Sequence, residues 1–445
     1  MCAASDAATV RIVWACSVAL VLLVGTLLAA RSFTPSEKGP SRREHARVAP
    51  RGTAFARTAF TPVVATTTND VLAGNGAAAA ALDARARLGQ KLFFDATLSE
   101  PPGTSCAACH DPQHGYAGLN GSERGVPRGS RPGHFARRSA PSLMYLRFVP
   151  RLHVEWDDEA ENPEARGGFF WDGRVSSLAE LVRQPLLNPD EMANPNLDAI
   201  AKKLARLPYA GEMRAEIDRA FDTTESASEA LGLCLEAFLT SRALSPFSSR
   251  YDDFVRAEGT LSPLELQGLA LFKDPEKGAC NSCHRLDDVS HEPERSLFTD
   301  FGYDVVTAPR NTKLALPVTS FDLGLCERPD AHLHTDDPWY CGAFRTPSLR
   351  NVALRQSFFH NGTFTNLRDV VRFYATRSTS PTTWYPDGKF DDLPERYWQY
   401  VNTTTPPYNR RPGDPPALDD AEIDAVVAFL GTLSDREILP APARE

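Results

Sequence analysis

Residues 105–110 read SCAACH and residues 279–284 read ACNSCH, so one Cys-x-x-Cys-His pattern occurs twice in the chain. In c-type haem proteins the two thiols of this pattern attach the haem covalently, and the adjacent histidine binds its iron. We therefore predict two covalently bound haem c groups. The predicted binding residues are Cys106, Cys109 and His110 for the first haem and Cys280, Cys283 and His284 for the second.

Two other kinds of site also use paired cysteines. A zinc site would need the two pairs to converge, and it does not require the histidine that follows each pair. A redox dithiol is typical of a βαβ context, whereas the segments around both patterns read as helices. Haem attachment is the interpretation that explains the cysteines and the histidine of both patterns.

Helix-start signals precede the second pattern and recur near the end of the chain. Ser262 is a predicted N-cap, with Pro263 at the first helical position and Glu265 at the third. Asp419 and Glu422 repeat the signal before a last helix. The apolar face of that helix comprises Ile423, Val426, Val427, Leu430 and Leu433.

The first pattern also follows a predicted helix, from Leu82 to Phe94. Alternation typical of strands is scarce, and the loops are long and rich in proline and glycine. We therefore predict a mainly α fold with two cytochrome c-like haem domains and long loops. The first domain is assigned to residues 79–255 and the second to residues 256–440.

The N-terminal segment is predicted to direct export. Residues 12–30 form an uncharged apolar run between Arg11 and Arg31, long for a cleaved signal and just long enough to span a bilayer. We interpret residues 1–30 as a signal or membrane-anchor segment and residues 31–78 as a flexible linker. The protein is thus predicted to be periplasmic, either soluble or anchored to the inner membrane by an N-terminal helix.

The charge of the chain bears on its partners. The formal net charge is −9, although the N-terminal segment is basic, so the acidic excess lies in the predicted haem domains. An acidic body disfavours nucleic acid and favours basic protein partners. We therefore expect no nucleic-acid partner.

Three cysteines outside the export segment belong to neither haem pattern. Cys234 lies on an apolar helix face with Leu231, Leu235 and Phe238, which predicts a buried core thiol. Cys326 and Cys341 would close a short loop, and an exported protein keeps such a disulfide.

Several separated segments resemble the bacterial dihaem cytochrome c peroxidases and, within them, the MauG-like subgroup. The resemblance extends from about Leu82 to Asp435, which makes it far more specific than the haem pattern alone. The segments are FFWDGRVSSLAEL at 169–181, SPFSSRYDDF at 245–254, FRTPSLRNVAL at 344–354, FFHNGTF at 358–364 and EIDAVVAFLGTL at 422–433.

The resemblance implies different tasks for the two haems. The first haem, on His110, would react with hydrogen peroxide, and the second, on His284, would transfer electrons. A tryptophan between the haems corresponds to Trp171, and a proline and a glutamate beside the first haem correspond to Pro185 and Glu191. A carboxylate in that place serves as acid and base in peroxide cleavage. Leu181 stands where many members of the family have a glutamine.

The second axial ligand of the second haem separates the subgroups, because ordinary dihaem peroxidases use methionine and MauG-like enzymes use tyrosine. The matching position is Tyr374, on a helix face with Leu367, Val370 and Val371. No methionine follows the second haem pattern. A phenolate oxygen is a harder donor than a thioether, so it would lower the potential of this haem. His360 corresponds to a family histidine near the second haem, for which a structural role is favoured.

Two further features of the family remain open. Its calcium site between the haems uses an asparagine, which is Ser139 here, and carbonyl groups at positions matching Arg355 and Ser357. Calcium is therefore in doubt. Some peroxidases block the first haem with a histidine, but His114 and His134 both lie outside that register, so we expect an open first haem.

These residues favour an exported dihaem peroxidase that reacts with hydrogen peroxide at the first haem and, through the second, oxidises a partner protein, as MauG-like enzymes do. One alternative is an ordinary cytochrome c peroxidase that receives electrons from a small redox protein. Another is a non-catalytic electron carrier, in which His114 or His134 would be a sixth ligand of the first haem. A peroxide sensor is the remaining hypothesis.

Overall fold

The computed structural model describes residues 82–155, 163–287, 289–328 and 337–441. The export segment and the linker predicted for residues 1–78 lie outside these ranges. Within the described ranges, no helix is both long enough and apolar enough to cross a bilayer.

Helices dominate the described part of the chain, which confirms the predicted mainly α class. The two small sheets are antiparallel pairs, in which His153 faces Arg166 and Tyr303 faces Arg345. The helices are α1 Ala84–Phe94, α2 Cys106–Cys109, α3 Leu178–Leu187, α4 Leu197–Leu204, α5 Ala210–Glu216, α6 Thr224–Leu239, α7 Arg250–Val255, α8 Pro263–Lys273, α9 Leu367–Thr376 and α10 Asp420–Gly431. The strands are β1 His153–Glu155, β2 Glu164–Arg166, β3 Tyr303–Asp304 and β4 Phe344–Arg345.

The predicted capping residues begin their helices as expected. The Ser262 hydroxyl accepts the Glu265 N–H, and the Glu265 carboxylate accepts the Ser262 N–H at 2.7 Å, which closes a capping box at α8. Asp419 and Glu422 form the same box at α10. Helix α1 begins at Ala84 rather than at the predicted Leu82, because the Asp83 carboxylate caps it by accepting the Ala86 N–H at 2.7 Å.

The helix before each haem pattern packs closely against a second helix. In α1, a Cβ on Gly89 would lie 1.9 Å from the Cys234 carbonyl oxygen in α6. In α8, a Cβ on Gly268 would lie 1.9 Å from the Ala425 carbonyl oxygen in α10. Only glycine permits such an approach. The two haem patterns therefore belong to two copies of one packing arrangement.

Two hydrophobic cores follow from these helix pairs. The first contains Phe93, Tyr116 and Phe238, and it buries Cys234, which confirms the prediction of a core thiol. The second contains the mutually contacting rings of Phe272, Phe298 and Phe429. Along the chain, Phe247 is the last fully buried residue of the first core, and Tyr251 is the first of the second.

The end of the described chain returns to the first core. Ile438 and Leu439 pack against it, and the Tyr116 hydroxyl donates to the Leu439 carbonyl at 2.8 Å. The Tyr145 hydroxyl donates to Asp435 at 2.7 Å. The predicted domain division at residues 255 and 256 stays a proposal, since these contacts join the last residues to the first half of the chain.

The predicted disulfide between Cys326 and Cys341 is present, beside a third cluster around Leu152, Leu325 and Tyr340. A disulfide closing a loop of this size stabilises a fold by about 3 kcal/mol, chiefly by restricting the unfolded chain. We expect the double substitution Cys326→Ser and Cys341→Ser to lower the free energy of unfolding of the haem-loaded protein by about this amount. Urea unfolding with and without reductant measures it.

The control for this experiment compares both proteins with and without reductant. The unsubstituted protein should lose the same stability when it is reduced, whereas the doubly substituted protein should not respond. Equal unfolding midpoints for the two oxidised proteins would contradict the prediction.

Candidate haem sites

The second haem pattern opens into a cavity of about 1640 Å³, a volume that includes the solvent-filled space at its opening. Cys280, Cys283 and His284 line one side of it. The lining also includes the predicted face of α9, which consists of Leu367, Val370, Val371 and Tyr374. The spacing of these residues thus predicted correctly that they share one face, and that face borders the cavity beside the haem pattern.

Both histidines of the haem patterns are oriented in the same way. The His110 Nδ1–H donates to the Tyr116 carbonyl at 3.1 Å, and the His284 Nδ1–H donates to the Phe298 carbonyl at 3.0 Å. A carbonyl only accepts, so Nδ1 carries the proton and the lone pair of Nε2 is free for a metal. This tautomer fits iron ligation at both sites.

The cysteines of the two patterns are free thiols. Burial raises the pKa of Cys106 and of Cys280 to about 12. Burial also raises the pKa of Cys109 to about 12, with a contribution from the negative charge of Glu191. A redox dithiol needs a lowered thiol pKa. These thiols therefore fit haem attachment better than disulfide exchange.

Two side chains of the second cavity have buried nitrogen atoms without a hydrogen-bond partner, although His360 Nε2 lies 3.9 Å from the Asp392 carboxylate. Nε and Nη1 of Arg345 and Nε2 of His360 form no hydrogen bond within the described part of the chain. Both residues line the cavity, and the His360 ring stacks on Phe344 at 3.5 Å. Buried donors without acceptors are costly. The two carboxylates that a haem carries at its edge would satisfy them, so the cavity fits a haem.

Arg345 was not predicted as a site residue, although it belongs to the segment at 344–354 that carries the family resemblance. Tyr408 was not predicted either, although it lines the second cavity and its ring lies 6.0 Å from that of Tyr374. Tyr408 comes from a loop without helical periodicity, so no pattern indicated its place.

Tyr374 is half-buried and borders the cavity. Its ring also lies 5.7 Å from Phe359. Burial raises the pKa of the phenol, and the negative charges of Cys283 and Asp304 add to the effect. Among the described residues, none forms a hydrogen bond with its hydroxyl. A hydroxyl without a protein partner, on a residue that lines the cavity, is available to bind the iron of a haem placed there.

Glu191 lies near the first haem pattern, since its charge acts on Cys109. The Asn188 side-chain amide donates to its Oε1 at 2.8 Å. Burial raises the pKa of the Glu191 carboxyl, and Arg174 and the Asn188 hydrogen bond partly oppose that shift. Oε2 is the atom left available for a proton.

Pro185 lies inside α3, one turn after the buried Leu181. Proline has no N–H, so the helix lacks one hydrogen bond at this point. The Pro185 carbonyl accepts the Met192 N–H at 3.1 Å. This bond ties the residue next to Glu191 to the end of α3, so Pro185 and Glu191 are held in one local arrangement.

Trp171 is 7% exposed and lines the second cavity. Its indole N–H donates to the Ser139 carbonyl at 2.9 Å. Two residues later, the backbone of Pro141 hydrogen-bonds to the His110 imidazole. Trp171 therefore connects the second cavity to a segment that contacts the histidine of the first haem pattern.

The two histidines considered as blocking ligands are bound elsewhere. His114 Nδ1 lies 2.9 Å from the Asp111 carboxylate, and His134 Nδ1 lies 2.8 Å from the Asp190 carboxylate. Both partners are local acids that contact Nδ1 only, so the expectation of an open first haem stays a prediction.

The residues at the family's calcium position do not fit calcium. The Ser139 hydroxyl donates to the Phe359 carbonyl at 2.6 Å, and Arg355 Nε donates to the Ser357 carbonyl at 3.2 Å. Calcium prefers six to eight oxygen ligands, often including carboxylates.

Two histidines with Nδ1 protonated, each beside paired free thiols in a helical chain, fit the class of dihaem oxidoreductases. Residues 83–260 match the family of di-haem cytochrome c peroxidases. The chain is 34% identical to the methylamine utilization protein MauG of Paracoccus denitrificans, over 80% of this chain and 90% of that protein. It is 27% identical to the cytochrome c peroxidase Ccp of Escherichia coli, over 64% of this chain and 51% of that protein.

Solved structures agree with these relatives. The diheme peroxidase BthA from Burkholderia thailandensis is 46% identical, with a TM-score of 0.75 over 80% of this chain and 87% of that one. A variant of BthA in which a tyrosine is replaced by methionine gives a TM-score of 0.76 at 47% identity. The chain belongs to the family of di-haem cytochrome c peroxidases and MauG proteins, and it is an oxidoreductase of that family.

Proposed function

We propose that the protein is an exported, periplasmic enzyme with two covalently bound haem c groups that reacts with hydrogen peroxide at His110 and oxidises a partner protein through His284. The observation that carries the proposal is the position of Tyr374. Its unbonded hydroxyl borders the cavity beside Cys283, and no methionine follows the second haem pattern. Tyrosine ligation is the feature that distinguishes MauG-like enzymes from ordinary peroxidases.

The residues near the first pattern support peroxide cleavage there. When bound, the haem supplies the iron at which peroxide reacts. Glu191 Oε2 accepts the proton from one peroxide oxygen and returns it to the other, while Asn188 holds Oε1 in place. Pro185 supports this arrangement, because its carbonyl accepts the N–H of Met192, the residue next to Glu191.

Trp171 is proposed to pass electrons between the two haem sites. Its indole N–H is held by the Ser139 carbonyl, so the ring has one orientation between the second cavity and the segment beside His110. A fixed aromatic ring in this place shortens each step of electron transfer.

The electron-carrier alternative needs a sixth protein ligand at the first haem. His114 and His134 are the candidates, and the carboxylate beside each of them contacts Nδ1 only. Neither histidine lies in the register of the family's blocking ligand, so we propose an open first haem and therefore catalysis.

Substitution of Tyr374 tests the proposal. Electron paramagnetic resonance of the ferric holoenzyme should show one high-spin and one low-spin haem, and one equivalent of hydrogen peroxide should remove both signals. We expect Tyr374→Phe to change the low-spin signal, because phenylalanine has no oxygen for the iron.

Tyr408→Phe is the matched control, because Tyr408 lines the same cavity and lies against the Tyr374 ring. It should leave the low-spin signal as it is. A changed signal with Tyr408→Phe and an unchanged one with Tyr374→Phe would assign the ligand to Tyr408. Two low-spin haems indifferent to peroxide would overturn the catalytic function.

A further inference from the structure

Arg355 is a cation between the two haem sites. It lines the second cavity, and its positive charge is one of the causes that lower the pKa of His110. Burial lowers the pKa of Arg355 itself to about 10, and no carboxylate in the described ranges lies close enough to oppose that shift. Arg355 is half-buried, and a largely desolvated cation without a carboxylate is costly. Such a charge needs other partners.

The partners of this guanidinium are carbonyl oxygens. Arg355 Nε donates to the Ser357 carbonyl at 3.2 Å, and Nη2 donates to the Ala140 carbonyl at 3.1 Å. One planar group therefore joins the chain at residue 140 to the chain at residue 357.

The same two stretches of chain are also joined by Ser139. Its hydroxyl donates to the Phe359 carbonyl at 2.6 Å, and its N–H donates to the His360 carbonyl at 2.7 Å. The Ser139 carbonyl in turn holds the Trp171 indole. The guanidinium is thus part of the support that positions Trp171 and the backbone beside His110.

A calcium ion in this place would meet two obstacles. The Ser357 carbonyl already accepts a hydrogen bond from Arg355. A second positive charge would also be repelled by the guanidinium at short range in a poorly solvated region.

We propose that the Arg355 guanidinium is the built-in cation between the haem sites and replaces calcium there, so that the holoenzyme neither binds nor needs calcium at this position. Arg355 is a positioning residue, because it acts through the chain at residues 139–140 and through Trp171. The inference rests on the proposed two-haem function, since it assigns a support to that site.

The first test measures metal content and spectra of the unsubstituted holoenzyme. Calcium is determined by mass spectrometry before and after dialysis against a calcium chelator, and the electron paramagnetic resonance spectrum of the ferric protein is recorded at each stage and again in millimolar calcium. We expect far less than one calcium per chain and unchanged spectra. About one calcium per chain, with spectra that change on its removal, would overturn the proposal.

The second test asks whether calcium can take the place of the guanidinium when the guanidinium is removed. Arg355→Thr together with Ser139→Asn removes the guanidinium and supplies a side-chain oxygen. This variant should bind about one calcium, and a chelator should change its low-spin signal. Arg355→Lys keeps a positive charge and should stay indifferent to the chelator. A double variant that takes up no calcium would contradict the idea that the guanidinium occupies the cation position.

The two tests separate this inference from the proposed function. Metal content and ferric spectra are recorded without peroxide, so a protein that fails to react with peroxide still gives a result. A calcium-free protein that does not react with peroxide would refute the function and leave the role of Arg355 supported.

Discussion

Glu191→Gln is expected to slow the reaction with hydrogen peroxide by about 10²–10⁴-fold, the usual contribution of one acid–base group. The amide has the shape of the carboxyl group and can keep the hydrogen bond to Asn188, but it does not accept a proton. Because Oε1 is already bonded to Asn188 at 2.8 Å, the loss concerns Oε2. Rapid mixing of the ferric holoenzyme with peroxide measures the rate.

Asp190→Asn is the matched control for charge. Asp190 is the neighbouring acid, its side chain is 52% exposed, and it binds His134 on the surface. The substitution removes the same charge one residue away and should change the rate little. Equal losses in the two variants would show that net charge, rather than proton transfer at Glu191, matters.

The pH dependence gives an independent signature of Glu191. Burial raises the pKa of this carboxyl above its usual value, so it is protonated at a higher pH than an ordinary glutamate. A protonated carboxyl cannot take the proton from peroxide. The rate constant should therefore fall as the pH drops through the raised pKa, and this fall should vanish in Glu191→Gln. If the rate constant of the variant falls at the same pH and by the same amount, the fall belongs to another group.

Arg350→Met is expected to lower the free energy of unfolding by about 3–5 kcal/mol, the cost of leaving one member of a buried ion pair without its partner. Arg350 Nη2 lies 3.0 Å from Asp252 Oδ1, and both side chains are 0% exposed. The guanidinium also donates to the Ser296 and Pro293 carbonyls and lies 4.4 Å from the Phe247 ring centre. Urea unfolding of the holoenzyme measures the loss.

Two comparisons sharpen this experiment. Arg250→Met breaks an ion pair with Glu265 at the surface, where the arginine side chain is 51% exposed, and a surface pair contributes only about 0.2–1 kcal/mol. Adding Asp252→Asn to Arg350→Met removes the unpaired charge and should recover part of the stability. A loss no larger than that of Arg250→Met would mean that the buried pair has little net effect.

Much of the fold could be predicted because its signals are local. The capping residues Ser262 and Asp419 and the apolar face of α9 are patterns within a dozen residues, and all three held in the structure. The start of α1 was misplaced by two residues because Asp83, which caps it, was not considered. The close approach of Gly89 to Cys234 left no local signal, since it depends on which helix packs opposite.

The parts of the candidate sites that could be predicted are those that require a particular type of side chain. The spacing of the cysteines and histidines in the two patterns is enough to indicate haem binding. The carbonyl groups that orient His110 and His284 belong to Tyr116 and Phe298, and any residue supplies a carbonyl. The guanidinium of Arg355 could not be placed either, because its partners at Ala140 and Ser357 meet only in the folded chain.

The return of the last residues to the first core has a consequence for biosynthesis. Tyr116 orients His110 through its carbonyl, and its own hydroxyl is held by Leu439. Because a chain is synthesised from its N-terminus, the first haem pattern emerges early and receives this support only when nearly all of the protein has been made. The first haem site is therefore synthesised early, but its support is complete only after Leu439 has been made.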